Sequence, residues 1–408
     1  MALTRRWMIG GCVWAGAAWS QEPAPKRPPA DLNESTFLPE VPVLPPLRPE
    51  QISGRFGSKR WVIQRMMDAD ETEFRLQDMQ FSSPERGIVL GMERKKERVE
   101  PQAWLTRDGG AAWTSLKLKD TPLSVFMLDE SRGYMVGEDS LWYTSEGGLQ
   151  WEKRKLPKDN RAKPMFRVFF TSEKHGWALG GGKVFHWTVD GGLTWRKVPE
   201  SEALTIKDEN TVWSWMSAMG PEVLAIVGLS AAPPRDASRF PDWMMPERAL
   251  RRNLTPSTTL LGQSRDGGKT WKVTTASLFG RVARLRTMGS RALVVYHYGD
   301  GIEFPSEVYE VSLATGKSVP FFRRKDAWVH DAVLLKDGGV ILAAVEPPGR
   351  LRSSPIPGRL RIYYTPDSKL WFEMKVPYKA TGRKVWISRA DDDNIWAATD
   401  EGTILKLT

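Results

Sequence analysis

The run Gly176-Trp177-Ala178-Leu179-Gly180, followed by Thr188-Val189-Asp190-Gly191-Gly192 and then Trp195, decides how the rest of the chain is read. Its first part is a short apolar strand ending in glycine. Its second is a hydroxyl-x-acid-Gly-Gly turn with tryptophan three residues beyond. The residues around the turn, Val184-Phe185-His186-Trp187 before it and Trp195-Arg196-Lys197-Val198 after it, fit the arms of a hairpin. The acid can accept hydrogen bonds from N–H groups of its own loop, and so can the hydroxyl. Glycine supplies positive φ where a side chain would clash. The tryptophan opens the next strand and covers the turn with a large apolar face. The chemistry of this turn is therefore structural.

The block recurs, and internal repetition sets the architecture. The strand returns as Gly87-Ile88-Val89-Leu90-Gly91 and Gly133-Tyr134-Met135-Val136-Gly137. The turn returns as Thr106-Arg107-Asp108-Gly109-Gly110 with Trp113, and as Thr144-Ser145-Glu146-Gly147-Gly148 with Trp151. A further copy is Ser264-Arg265-Asp266-Gly267-Gly268 with Trp271. A worn copy, Thr365-Pro366-Asp367, has lost both glycines and reaches Trp371 one residue early. This periodic use accounts for much of an unusual composition, 19 Trp against 8 Tyr.

The turn resembles the Asp-box, or BNR, repeat of sialidases and related propellers. Joined to the Gly-Trp-Ala-x-Gly strand, it is similar to the photosystem II assembly and stability factor family of exported bacterial proteins. The resemblance implies an all-β propeller and assembly through protein contacts. It implies no particular chemistry, because the same turn decorates enzymes, receptors and scaffolds.

Strand signals divide the domain into blades near 76–119, 120–158, 162–200, 204–276, 280–322 and 326–377. The final segment, with Asn394-Ile395-Trp396-Ala397-Ala398 and Gly402 to Leu407, lacks an outer strand. Arg60-Trp61-Val62-Ile63-Gln64 can supply it. This predicts a single seven-bladed propeller closed by a strand from the far end, which removes an exposed edge. Six or eight blades stay open, because blades four to six are irregular.

Ahead of the repeats, residues 1–20 read as an export signal. Arg5 and Arg6 precede an apolar run too short to span a bilayer, with a cleavage site at Ala18-Trp19-Ser20 or Ala15-Gly16-Ala17. Thr4-Arg5-Arg6-Trp7-Met8-Ile9 fits an ordinary secretory n-region and also resembles a twin-arginine signal. Cys12, the only cysteine, stands in a faint lipobox, and lipidation ranks below ordinary cleavage. The mature chain, without cysteine, then has no thiol chemistry and no disulfides. Residues 21–55 are proline-rich and read as an extended linker; residues 56–408 form the propeller. The expected location is periplasmic or extracellular. The formal charge of +10 suits anionic partners. An envelope protein or an anionic glycan or lipid surface is expected, with no nucleic acid, no transmembrane helix in the mature chain, and a monomeric state.

No catalytic residue, metal ligand or cofactor is assigned. The sialidase-like pattern needs a three-arginine cluster, an Arg-Ile-Pro motif and a Tyr/Glu nucleophile pair. Neither Arg-Ile-Pro nor Arg-Leu-Pro occurs, and an arginine cluster stays open because none is positioned by motif. His175, His186, His297 and His330 lack metal-ligand spacing, and His297 reads as a packed strand residue. Asp391-Asp392-Asp393 reads as a strand-connecting turn. The candidate binding segment is an insertion at about 230–258, with Arg235, Arg239, Phe240, Trp243, Arg248, Arg251 and Arg252. Arginine and tryptophan are the types that anchor interfaces, although a loop of solvated charges fits too. Arg350 and Arg352 form a second basic loop. The expected function is a non-enzymatic binding or assembly scaffold with a basic, aromatic-studded face. The alternative is a glycan-active hydrolase of sialidase-like or glucanase-like propeller type.

Overall fold

The computed structural model describes residues 56–67, 72–156, 164–231, 257–278, 280–298, 304–313, 315, 317–348 and 356–408. They form a seven-bladed β-propeller, each blade an antiparallel sheet. β1 (Trp61–Met66) comes first but belongs to the last blade. Blade 1 is β2 (Thr72–Phe81), β3 (Gly87–Lys95), β4 (Arg98–Thr106) and β5 (Thr114–Lys117). Blade 2 is β6 (Pro122–Met127), β7 (Gly133–Gly137), β8 (Leu141–Thr144) and β9 (Glu152–Arg154). Blade 3 is β10 (Met165–Phe170), β11 (Gly176–Gly180), β12 (Phe185–Thr188) and β13 (Arg196–Lys197). Blade 4 is β14 (Thr211–Ala218), β15 (Leu224–Ser230), β16 (Ser257–Ser264) and β17 (Lys272–Leu278). Blade 5 is β18 (Arg281–Met288), β19 (Arg291–His297), β20 (Ser306–Ser312) and β21 (Ser318–Arg323). Blade 6 is β22 (Trp328–Leu334), β23 (Val340–Val345), β24 (Gly358–Thr365) and β25 (Phe372–Met374), with β26 (Thr381–Gly382) pairing β24. Blade 7 is β27 (Val385–Arg389), β28 (Ile395–Thr399) and β29 (Thr403–Leu407), completed by β1.

The closing pair runs antiparallel from Trp61 opposite Leu407 to Met66 opposite Thr403. The expected closure is thus present, with the strand starting one residue later and ending two residues later than the sequence suggested. Trp61 is buried there, and Phe56 just before it packs edge-on against Tyr364 at 4.8 Å.

The core lies between neighbouring sheets. Phe74, Leu76, Met79 and Phe81 of blade 1 interleave with Trp386, Trp396, Ala398 and Ile404 of blade 7. Phe81 stacks on Trp396 at 3.7 Å between centroids, and Phe170 stacks on Tyr134 at 3.8 Å in the same relation two blades further round. Such pairs contribute about 0.5–1.5 kcal/mol beyond the area they bury.

The acid-Gly-Gly turns fasten each blade's outer hairpin to its inner one. The N–H of Gly109, Gly147, Gly191 and Gly267 donates to the carbonyl of Glu85, Ser131, Lys174 and Glu222 respectively, at 2.6–3.0 Å. Within the turns, Thr106, Thr144, Thr188 and Ser264 accept from the N–H of Gly110, Gly148, Gly192 and Gly268. Asp190 accepts from the N–H of Leu193 and Thr194, and Asp266 from those of Lys269 and Thr270. Asp108 takes the Ala112 N–H. Trp113, Trp195 and Trp271 donate their indole N–H to Gly110, Gly192 and Gly268. The glutamate copy differs, in that the indole N–H of Trp151 has no acceptor. The worn copy still folds as a turn, with Asp367 accepting from Lys369 and Leu370. Gly268 shows why glycine ends the motif: its φ is +84°, and a β-carbon there would lie 2.1 Å from Trp177 of the preceding blade.

Candidate functional site

The innermost strands of six blades carry a bulge at one level. The register shifts between Leu76 and Asp78, Pro122 and Ser124, Met165 and Arg167, Trp213 and Trp215, Val282 and Arg284, and Val329 and Asp331. In blades 1 to 4 the residue just before the bulge, Leu76, Pro122, Met165 or Trp213, lies opposite Gly91, Gly137, Gly180 or Gly228 of the second strand, and here that glycine acquires a reason. A β-carbon on Gly180 or Gly228 would come within 2.1 or 2.6 Å of the carbonyl oxygens of Pro164 or Val212. Glycine lets the inner strand crowd in, and the bulge re-aims the next residue.

The re-aimed residues form a ring of Asp78, Ser124, Arg167, Trp215, Arg284 and Asp331. Two positions along stand Gln80, Phe126, Phe169, Ser217, Arg286 and Val333, with Ser388 from blade 7. Between these two levels lies a cavity of about 290 Å³, lined among others by Asp78, Arg167, Trp215, Arg284, Arg286 and Arg389.

Both aspartates stitch blades together. Asp78 accepts from the N–H of Met79 at 3.1 Å, from the N–H of Val125 in the next blade at 3.1 Å, and from Arg167 at 3.1 Å. Asp331 accepts from the N–H of Ala332 at 2.8 Å and from that of Ile387 in the next blade at 3.2 Å. It also takes two parallel bonds from Arg286 Nε and Nη2, each 2.9 Å. Ser124 donates to the Phe166 carbonyl, and Ser388 accepts the Phe81 N–H, so the same level is pinned in further blades.

The indole of Trp215 lies between two guanidinium groups, Arg167 at 3.5 Å and Arg284 at 3.8 Å from its ring centroid. Cation–π attraction offsets part of the cost of burying those charges. Arg284 Nε sits 3.1 Å from Asp331 Oδ1 but forms no hydrogen bond. Burial pushes Arg284 down to about 9, with Asp331 opposing and the neighbouring arginines adding to the fall. Burial likewise lowers Arg167 against the pull of Asp78. For Arg286 burial is outweighed by Asp331, and its affinity for the proton rises. Arg286 keeps a third of its side chain accessible, because it faces the cavity space. Arg389 is engaged elsewhere, at 2.7 Å from Asp392.

Of the residues singled out from sequence, Thr106, Asp108, Thr188, Asp190, Ser264 and Asp266 are used inside their own turns. Those turns lie at the blade ends where first strands turn into second strands. Arg235, Arg239, Phe240, Trp243, Arg248, Arg251, Arg252, Arg350 and Arg352 lie outside the described residues, as do residues 1–55 with the expected signal and linker. β15 ends and β16 begins, and β23 ends and β24 begins, at the propeller face opposite the turns. His297 packs against Trp328 and His330, with Nε2 2.7 Å from the Val329 carbonyl. Asp391 accepts from the N–H of Asp393 and Asn394 within the β27–β28 turn. Among the described residues no group of three His, Cys, Asp or Glu could hold a metal, and no helix is long and apolar enough to cross a membrane.

Sequence reasoning missed the axial ring. A signal existed: aligning inner strands blade against blade gives Asp78-Met79-Gln80, Arg167-Val168-Phe169, Trp215-Met216-Ser217, Arg284-Leu285-Arg286 and Asp331-Ala332-Val333. An apolar middle position is flanked by positions free to be polar, as a strand with one face on an axial channel requires.

The repeated turns and the closed ring define the class, a seven-bladed propeller of BNR type. Residues 110–214 match the model of a family described as "Photosynthesis system II assembly factor YCF48", and the chain is a propeller similar to that family. The structure "YCF48 bound to D1 peptide" superposes with a TM-score of 0.55 at 14% identity, covering 87% of this chain and 96% of that one. YCF48 from Cyanidioschyzon merolae gives 0.54 at 13%, covering 85% and 98%. Virginiamycin B lyase from Staphylococcus aureus gives 0.55 at 12%, covering 86% and 98%. At such identities these structures show the fold alone. Comparison with curated proteins finds no match.

Proposed function

We propose that this chain is an exported, non-catalytic binding and assembly scaffold that holds a protein segment on the face opposite the acid-Gly-Gly turns. The observation that carries this reading is the match of residues 110–214 to the YCF48 assembly-factor model. It is supported by a structural neighbour, YCF48 bound to D1 peptide. β15 ends and β16 begins at that face, as do β23 and β24, and the sequence between these strand pairs carries the basic residues from Arg235 to Arg252 and Arg350 with Arg352. Export rests on the residue pattern of 1–20, and the partner sought is an envelope protein; no photosystem partner is carried over.

The axial chemistry favours binding over hydrolysis. Asp78 and Asp331 are occupied by backbone N–H groups and arginines, which leaves neither free as a general acid or base. The described cavity lining contains neither tyrosine nor glutamate, the pair a sialidase-like mechanism uses.

The test is affinity capture with crosslinking in the native cell envelope, beside a variant lacking residues 235–252. That deletion stays clear of Ser230 and Thr258, which pair to hold β15 against β16. One or two proteins captured by the full chain and lost from the variant are expected. Specific capture by neither version, together with turnover in a glycan-hydrolysis screen, overturns the reading.

A further inference from the structure

We propose that the axial cavity is a binding site for a single carboxylate group, received by Arg284 and Arg286 beside Trp215. This goes beyond the scaffold reading and does not need it, since the site is on the axis rather than on the loop-bearing face.

The first argument is charge. The two levels hold three guanidinium groups, of Arg167, Arg284 and Arg286, against two carboxylates, of Asp78 and Asp331. One buried positive charge is left over. Burying an ion without a counter-charge is expensive, so such a charge invites an anion.

The second argument is hydrogen-bond capacity. A carboxylate offers about four lone-pair sites. Asp331 uses four, on Ala332, Ile387 and twice on Arg286. It therefore attracts Arg284 without accepting from it. Arg284 is left with a buried Nε lacking any acceptor, on a side chain only 6% exposed.

Geometry supplies the third argument. The stacking of Arg167 and Arg284 on opposite faces of Trp215 fixes both guanidinium planes before any ligand arrives. A fixed fork of N–H donors matches a planar two-oxygen anion. The surplus is one charge, which suits a carboxylate better than a phosphate dianion. The volume, about 290 Å³, exceeds the need of a lone halide ion and leaves room for the carbon attached to the carboxylate.

The carboxylate can come from a free small acid or from the end of a longer chain, and the experiment separates these. Carbon-13 acetate is titrated into the full chain and observed by NMR, with acetamide and chloride as controls. A short peptide is compared with its carboxyl-terminal amide. Saturable acetate binding, absent for acetamide and not displaced by equimolar chloride, is the expected result. Arg284→Gln should weaken it at least tenfold, and Arg284→Lys, which keeps charge but not the fork, should restore it only in part. Binding of the free peptide at least tenfold tighter than acetate, lost on amidation, identifies a chain-borne carboxylate; equal or weaker peptide binding identifies a free acid. The proposal is overturned if neither acetate nor peptide binds the unsubstituted protein, or if chloride displaces acetate mole for mole. Binding that survives undiminished in Arg284→Gln overturns it too. The titration of the unsubstituted chain stands even if the variants fail to fold.

Discussion

Asp190 and Glu146 occupy the same place in two copies of one turn, and their difference isolates what the shorter acid contributes. Asp190 reaches two backbone N–H groups and the Thr194 hydroxyl. Burial is the largest single influence and raises its carboxyl, but the bonds from Thr194, Thr188 and Leu193 together outweigh it and draw the carboxyl down to about 2. Among the described residues no side-chain hydrogen bond ties the Glu146 carboxylate to its loop, and the indole N–H of Trp151, whose counterparts donate to the carbonyl of the second turn glycine, has no acceptor. Glu146→Asp should therefore stabilise the protein by about 0.5–1 kcal/mol, the net worth of a recovered hydrogen bond. Urea unfolding measures this directly; an unchanged or lower midpoint would mean that the second blade's turn has relaxed around glutamate.

At the scale of elements, the closing strand and the bulged inner strands carry different lessons. Removing residues 56–66 takes away β1, with buried Phe56 and Trp61, and leaves β29 as an open edge. Each of those side chains is worth about 1.5–3 kcal/mol of burial. The truncated chain should melt lower and self-associate as concentration rises, because a bare edge templates pairing. Sedimentation velocity decides: a monomer with unchanged thermal midpoint contradicts the closure argument. Both the turns and this strand were legible in the sequence, because each is written in consecutive residues with fixed spacing. The axial ring was not, because its members are spread from Asp78 to Asp331 and meet only when six strands converge. The bulges that aim them are register events between strands, which no single segment records. The candidate loop residues at 235–252 were legible only as composition, arginine alternating with aromatic and sulfur side chains.

For the whole molecule, acid should act in two separate windows. Burial pushes His297 down to about 4 and lowers His330 as well, with nearby cations helping. A histidine whose folded pKa is depressed takes up its proton more readily when unfolded. Its contribution to stability is full above the unfolded value of about 6.5 and is lost as pH falls from there toward 4. The depressed Asp190 acts lower, holding its contribution above about 3.8 and losing it toward 2. The thermal midpoint should accordingly fall in two steps, and His330→Phe should flatten the upper step while leaving the lower one. A single step below pH 4 in the unsubstituted protein would show that the histidine pair takes protons freely in the folded state.

The pairing of β1 with β29 also sets an order in time. β1 emerges from the ribosome before any complete blade, and its partner is made only after all six intervening blades. Throughout synthesis the seventh sheet has no inner strands, and the leading strand waits unpaired. Completed blades can stack as they appear, but the ring cannot lock until β29 exists. An interruption anywhere between the two leaves an open crescent with a free edge at each end, so the fold itself distinguishes a finished chain from an unfinished one.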